Sequence, residues 1–176
     1  MLLRSPPDPL HTPAYRTGSL VLFAAVAVIL TALAFEHIGG YSPCPLCLQQ
    51  RYAYYAAIPL LFLALVLVVA DRRALAAVLF LAVAAGFLAN AGLGVFHAGV
   101  EWKFWAGPDT CAATPQSLST SAGDLLKRLE TARVVRCDEA PWRFAGLSFA
   151  GWNVVTSLLL ALGAIAAALE GLRRSS

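Results

Sequence analysis

Charged side chains are scarce in this chain. Asp, Glu, Lys and Arg make up 13% of its 176 residues, against about a quarter in soluble globular domains. The net charge is only +3, and the arginines are scattered between apolar runs. No basic stripe of the kind that binds nucleic acid is present. The chain also lacks an internal repeat and any run of strand-like alternation, which leaves helices as its regular structure. What it has instead is apolar surface: 59% of residues are hydrophobic, and the mean hydropathy is +0.70. The length suits one domain, and the composition suits a membrane.

Four apolar runs account for that composition. Residues 1–16 are polar and proline-rich and are expected to form a mobile tail. Residues 17–35 form the first run, close to the roughly 20 residues that a spanning helix needs. A rival reading treats this run as a cleaved signal, with Ala32-Leu33-Ala34 as the cleavage site. Either reading places residue 36 on the far side of the membrane. Residues 52–70, 74–96 and 151–169 are the other three runs, and Asp71-Arg72-Arg73 makes a very tight connection. The expectation is a single membrane domain over residues 1–176, an all-α bundle of four transmembrane helices. Residues 36–51 and 97–150 are its two outer loops. Gly92 and Gly94 would allow close helix packing.

Arg4, Arg16, Arg72, Arg73, Arg173 and Arg174 all fall on the side of the termini and the tight turn. Short arginine-bearing segments mark the cytoplasmic side. The long loop carries cations too, but long loops cross largely regardless of charge. Both outer loops then face an oxidising space. Trp102, Trp105, Trp142 and Trp152 lie near outer span ends, as an interfacial belt would. Ser121 and Asp124 have capping-box spacing, and Leu125, Leu126, Leu129, Ala132 and Val135 follow on one stripe. Residues 122–135 are therefore read as a short amphipathic helix on the membrane surface.

All four cysteines lie in the two outer loops: Cys44 and Cys47 in the short one, Cys111 and Cys137 in the long one. Cys44-Pro45-Leu46-Cys47 is a Cys-x-x-Cys pair at the entrance to the second run, with Arg51 four residues later. A pair so spaced closes a small strained disulfide and yields a reactive thiolate. A helix starting near Cys47 would put that sulfur at its positive end, with Arg51 one turn on. Two pairs on one side allow electrons to pass by thiol–disulfide exchange. The membrane-side pair then needs a two-electron acceptor that lives in the bilayer, and a quinone fits. Arg51 would hydrogen-bond a quinone oxygen and stabilise its developing charge.

Blander readings stand beside this one. Four cysteines allow three pairings, and two inert disulfides would staple the loops. Zinc is less well served, because the spacing from 111 to 137 is not a metal knuckle. His97 and His37 lie near outer span ends as candidate ligands or plain end-caps. Glu36 reads as an interfacial charge. Asn90 and Asn153 read as helix-joining hydrogen-bonding groups.

The motif Cys44-Pro45-Leu46-Cys47 with Arg51, the second cysteine pair, and the segment from Cys137-Asp138 through Pro141-Trp142 to Gly146-Leu147-Ser148 and Gly151-Trp152-Asn153 resemble the disulfide bond formation protein B (DsbB) family of the bacterial inner membrane. The resemblance spans nearly the whole chain. It implies a dithiol:quinone oxidoreductase, with both cysteine loops periplasmic and both termini cytoplasmic. It implies that Cys111, paired with Cys137, is attacked by a periplasmic thioredoxin-fold oxidase of the DsbA type. Cys137 would then exchange with Cys44. Cys47, freed as a thiolate, would reduce ubiquinone or menaquinone through a charge-transfer or covalent adduct, with Arg51 assisting. His97 would be a quinone-proximal residue. The N-terminal tail is longer than the family pattern. Two alternatives remain: a non-catalytic protein with stapled loops, and a quinone-linked thiol enzyme of the vitamin K epoxide reductase type, whose Cys-x-x-Cys comes late in the chain.

Overall fold

A computed structural model describes residues 9–108 and 137–173. Four helices dominate them: α1 (Pro13–His37), α2 (Pro45–Val69), α3 (Arg73–Glu101) and α4 (Phe149–Arg173). All four are long and apolar enough to cross a bilayer. A 3-10 turn at Pro9–His11 precedes α1. Two short antiparallel strands, β1 (Arg143–Phe144) and β2 (Leu147–Ser148), precede α4. Cys111 and the expected amphipathic helix over 122–135 lie outside the described residues.

The helix starts follow from local chemistry. Thr12 caps α1, its hydroxyl accepting from the Tyr15 N–H, and Pro13 fills the first helical position. Cys44 and Pro45 do the same for α2. This helix therefore begins ahead of the apolar run, and Cys44 rather than Cys47 is at its cap. Asp71 takes a positive φ of 55° between α2 and α3. Arg72 N–H donates to Leu67 C=O at 2.8 Å, which closes the turn. The expectation of no strand needs correction. Ala145 and Gly146, both at positive φ, form a two-residue hairpin turn between β1 and β2. Strands of two residues are too short to show alternation in a sequence.

The helices pack as a ring, α1 on α2, α2 on α3, α3 on α4 and α4 on α1, with α3 and α4 most extensively joined. Alanines fill much of the shared core: Ala25, Ala57, Ala64, Ala76, Ala84, Ala161 and Ala164 are all buried. At Gly94 an added Cβ would meet Val154 Cγ2 at 2.8 Å, so glycine sets the approach of α3 to α4. Gly92 has nothing within 4 Å and plays no such part. The outer faces carry Leu20, Phe23, Phe62, Leu81 and Leu159, all exposed. So much exposed apolar surface would drive aggregation in water and is at home in lipid. The molecule is a multi-pass membrane protein built as a four-helix bundle.

A polar cluster crosses the bundle below the cysteines. Tyr54 donates to Asn153 Oδ1 at 2.9 Å, and Asn90 donates to Ser157 Oγ at 3.0 Å and to Asn153 Oδ1 at 3.2 Å. Asn90 and Asn153 thus join α3 to α4, and Tyr54 brings in α2. In lipid these groups have no water to fall back on, so their partners fix the register of three helices.

Candidate active site

The start of α2 and the end of α3 meet at one end of the bundle. The buried stripe of α3 runs Phe80, Ala84, Phe87, Asn90, Gly94, His97 and Glu101. That spacing delivers His97 and Glu101 to the interior at the cysteine end. On α2 the buried positions Leu46, Gln50 and Tyr54 face them.

Cys44 and Cys47 are free thiols, and their sulfurs lie 2.9 Å apart. Three groups meet the Cys44 sulfur. The Cys47 N–H donates to it at 3.2 Å, as in an ordinary helix cap. The Cys47 sulfur is the second. His97 Nε2 is the third, 3.6 Å away. The imidazole is oriented from behind by Gln50, whose side-chain amide Nε2 sits 2.9 Å from Nδ1. An amide N–H there makes Nδ1 the acceptor, which puts the ring hydrogen on Nε2, toward sulfur. In this reduced pair the Cys44 sulfur is the one that faces the Cys47 N–H and the imidazole. Hydrogen bonding from Cys47 pulls the Cys44 thiol down to about 5 from an ordinary 9.0, against the opposing effect of burial, with His97 adding to the pull.

Arg51 forms an ion pair with Glu36 at the end of α1. Glu36 is thus the anchor of Arg51 rather than a lone interfacial charge. Both side chains are partly buried. His37 is not among the residues that line the site.

A cavity of about 830 Å³ opens beside these groups. Cys44, Cys47, Arg51, His97 and Glu101 line one part of it, and Ala27, Val28, Ala32 and Phe35 of α1 line another. Phe35, Trp142 and Phe149 pack together at its edge, with Trp142 stacked on Phe149 at 4.9 Å. An apolar chamber with a few convergent polar groups is the usual form of a small-molecule site.

Cys137 is disulfide-bonded. It packs in one small cluster with Cys44, Leu46 and Val100, and Cys47 lies against that cluster. Lys103 holds the neighbouring Asp138 at 2.5 Å, which ties this segment to the end of α3. The fold thus brings together Cys44, Cys47, Arg51, His97 and Cys137 of the residues singled out from sequence. Gln50 and Glu101 were missed. Their signal was spacing: Gln50 follows Cys47 by three residues and Glu101 follows His97 by four, so each shares a helix face with a flagged residue. Cys44, Cys47 and His97 also present their ligand atoms within 4.8 Å of one another, a spacing that a metal ion could bridge.

The family model for disulfide bond formation protein DsbB matches residues 15–167. The chain belongs to the DsbB family. Disulfide bond formation protein B of Aromatoleum aromaticum is 32% identical over 171 residues, covering 86% of this chain and 92% of that protein. Its counterpart in Xanthomonas oryzae pv. oryzae is 30% identical over 169 residues, covering 93% of this chain and 95% of that protein. No solved structure matches the chain. As a DsbB-family member the protein is a disulfide-forming oxidoreductase of the membrane. Cys44, Cys47, Cys137, Arg51 and His97 gather at one end of this bundle.

Proposed function

We propose that the protein reoxidises a periplasmic, DsbA-like thioredoxin-fold dithiol oxidase and passes the electrons to a membrane quinone, ubiquinone or menaquinone. The observation that carries this reading is the packing of Cys137 against Cys44 at the cavity that Cys47 and Arg51 also line. A disulfide beside a dithiol is the ground for thiol–disulfide exchange, and a mainly apolar chamber beside that dithiol suits a quinone. In this reading the partner's thiolate attacks Cys111 of a Cys111–Cys137 disulfide, and Cys137 then exchanges with Cys44. While Cys44 is bonded to Cys137, Cys47 is the free sulfur on the cavity wall. The partner's second thiol displaces Cys111, and the partner leaves oxidised. Cys111 then takes Cys137 back into the loop disulfide, which frees Cys44 as a thiol. Cys44 and Cys47 close their disulfide by giving two electrons and two protons to the quinone. Arg51, fixed by Glu36, hydrogen-bonds a quinone oxygen as negative charge develops there. Both cysteine loops face the periplasm and both termini the cytoplasm of a bacterial inner membrane.

The test is quinone reduction by the purified protein, supplied with a reduced thioredoxin-fold dithiol protein and followed by loss of quinone absorbance. Wild type turns over, Cys47→Ser does not, and Arg51→Ala is slow. No turnover by wild type, with its cysteines unchanged after incubation, would reject the relay in favour of a non-catalytic protein with stapled loops.

A further inference from the structure

Reduction of a quinone moves protons as well as electrons. Closing the Cys44–Cys47 disulfide breaks two S–H bonds and forms one S–S bond. The quinone takes two electrons, and its two carbonyl oxygens become hydroxyls. Two protons therefore pass, in net, from sulfur to oxygen. A group in the cavity wall that can take up and release a proton would carry them across.

Most polar groups of the wall are unsuited to that task. Arg51 stays protonated and is committed to Glu36. His97 is engaged on both ring nitrogens, by Gln50 at Nδ1 and by Cys44 at Nε2. Glu139 lines the cavity but is exposed to solvent. Glu101 differs from all of these. Its side chain is only 3% exposed, and Oε1 lies 3.8 Å from His97 Nε2. Oε2 is buried with no hydrogen-bond partner among the described residues. A buried carboxylate oxygen without a partner is costly unless something else meets it.

We propose that Glu101 is the proton carrier of the quinone step, holding the proton lost by Cys44 and giving it to a quinone oxygen. This rests on the quinone-linked reading above. Before the step, Cys44 is a thiolate, Cys47 a thiol and Glu101 a neutral acid. As the S–S bond closes, Glu101 gives its proton to one quinone oxygen. The Cys47 proton then reaches the second oxygen, directly or by way of the emptied carboxylate, and quinol leaves. Two electrons and two protons have moved, and one negative charge has shifted from Cys44 to Glu101. The thiol protons of the next dithiol reload the acid. The groups facing Glu101 suit the exchange: Cys44 and Cys47 from the start of α2, His97 from its own helix, and Ser148 and Arg143 from the hairpin before α4. Ser148 hydrogen-bonds the carboxylate while also capping α4 through the Gly151 N–H, so the acid is held in place by a fixed helix start.

The experiment compares wild type, Glu101→Gln and Glu101→Asp as full-length protein in detergent, with a reduced dithiol protein and a soluble short-chain ubiquinone. Quinone reduction is followed across pH, and exchange with the loop disulfide is followed separately. Glu101→Gln keeps the shape and loses the proton, so its kcat is expected to fall about 10²-fold, the lower range for a positioned proton-transfer group. Its pH profile loses a limb that wild type shows, exchange with the dithiol protein keeps its rate, and Glu101→Asp recovers part of the activity. If Glu101→Gln does not fold, a shifted limb in Glu101→Asp supports the proposal and an unshifted one overturns it. Glu101→Gln with wild-type kcat and pH profile overturns it, as does a loss equal at every pH. Wild type that reduces no quinone at all would remove the underlying reading instead.

Discussion

Gln50 sits with its side-chain amide 2.9 Å from His97 Nδ1, and this one contact decides which edge of the imidazole meets the cysteines. With Nδ1 occupied as an acceptor, Nε2 carries the hydrogen toward Cys44. In Gln50→Leu the ring is free to carry its hydrogen on Nδ1 instead. The thiolate then loses a donor worth about 1.5–3 kcal/mol for a charged acceptor. The Cys44 titration midpoint is expected to rise by about one to two units, at about 1.36 kcal/mol per unit. Thiolate ultraviolet absorbance against pH measures it. An unmoved midpoint would show that the Gln50 contact does not govern the ring.

The depressed Cys44 thiol sets a direction for pH dependence. With its midpoint near 5, the group is ionised at neutral pH and becomes protonated only as the pH falls through that value. Cys47→Ser replaces the strongest contributor, a thiol donor, with a hydroxyl on a shorter bond. His97→Ala removes a weaker one. Both midpoints are expected to move up toward the ordinary 9.0. The same absorbance titration checks this, and a wild-type midpoint near 9 would contradict the geometry.

Arg51 and Glu36 make a separable pair. In the proposed reaction the guanidinium meets the quinone oxygen, and Glu36 only aims it. Arg51→Ala is expected to raise the quinone KM by roughly tenfold or more, the equivalent of about 1.5–3 kcal/mol for a charge-assisted hydrogen bond. Glu36→Gln keeps the cation and is expected to have the smaller effect. If the two variants rank the other way in one quinone-reduction assay, the assigned roles are wrong.

Close packing of α3 on α4 is testable by size alone. Gly94→Ala drives a methyl to 2.8 Å from Val154 Cγ2 and 3.3 Å from the Ala150 carbonyl. Overpacking of that kind costs about 1–3 kcal/mol. Gly92→Ala meets nothing within 4 Å and should be neutral or slightly stabilising. Thermal unfolding in one detergent, run on both variants, reads the difference.

Much of this was legible in the chain. Four apolar runs near the length of a bilayer crossing have few folds open to them, because lipid leaves backbone groups no partner but their own helix. The Cys-x-x-Cys pair was equally legible, since its spacing is local. The start of the second helix was not. Pro45 at the first helical position moves the helix start back, and the cap falls on Cys44. Gln50 and Glu101 look like ordinary polar residues in one dimension. They matter because α2 and α3 meet, and only packing shows that. The hairpin at Arg143–Ser148 escaped because two-residue strands leave no period to read.

Cys44, Cys47, His97, Glu101 and Cys137 all gather at a single end of the bundle. In the proposed cycle, thiol protons are released and quinone oxygens are protonated within that same end. No charge then crosses the bilayer during turnover, and the transmembrane voltage, worth about 2.3 kcal/mol per charge per 100 mV, neither drives nor resists it. A de-energised membrane would keep making disulfides for as long as oxidised quinone lasts.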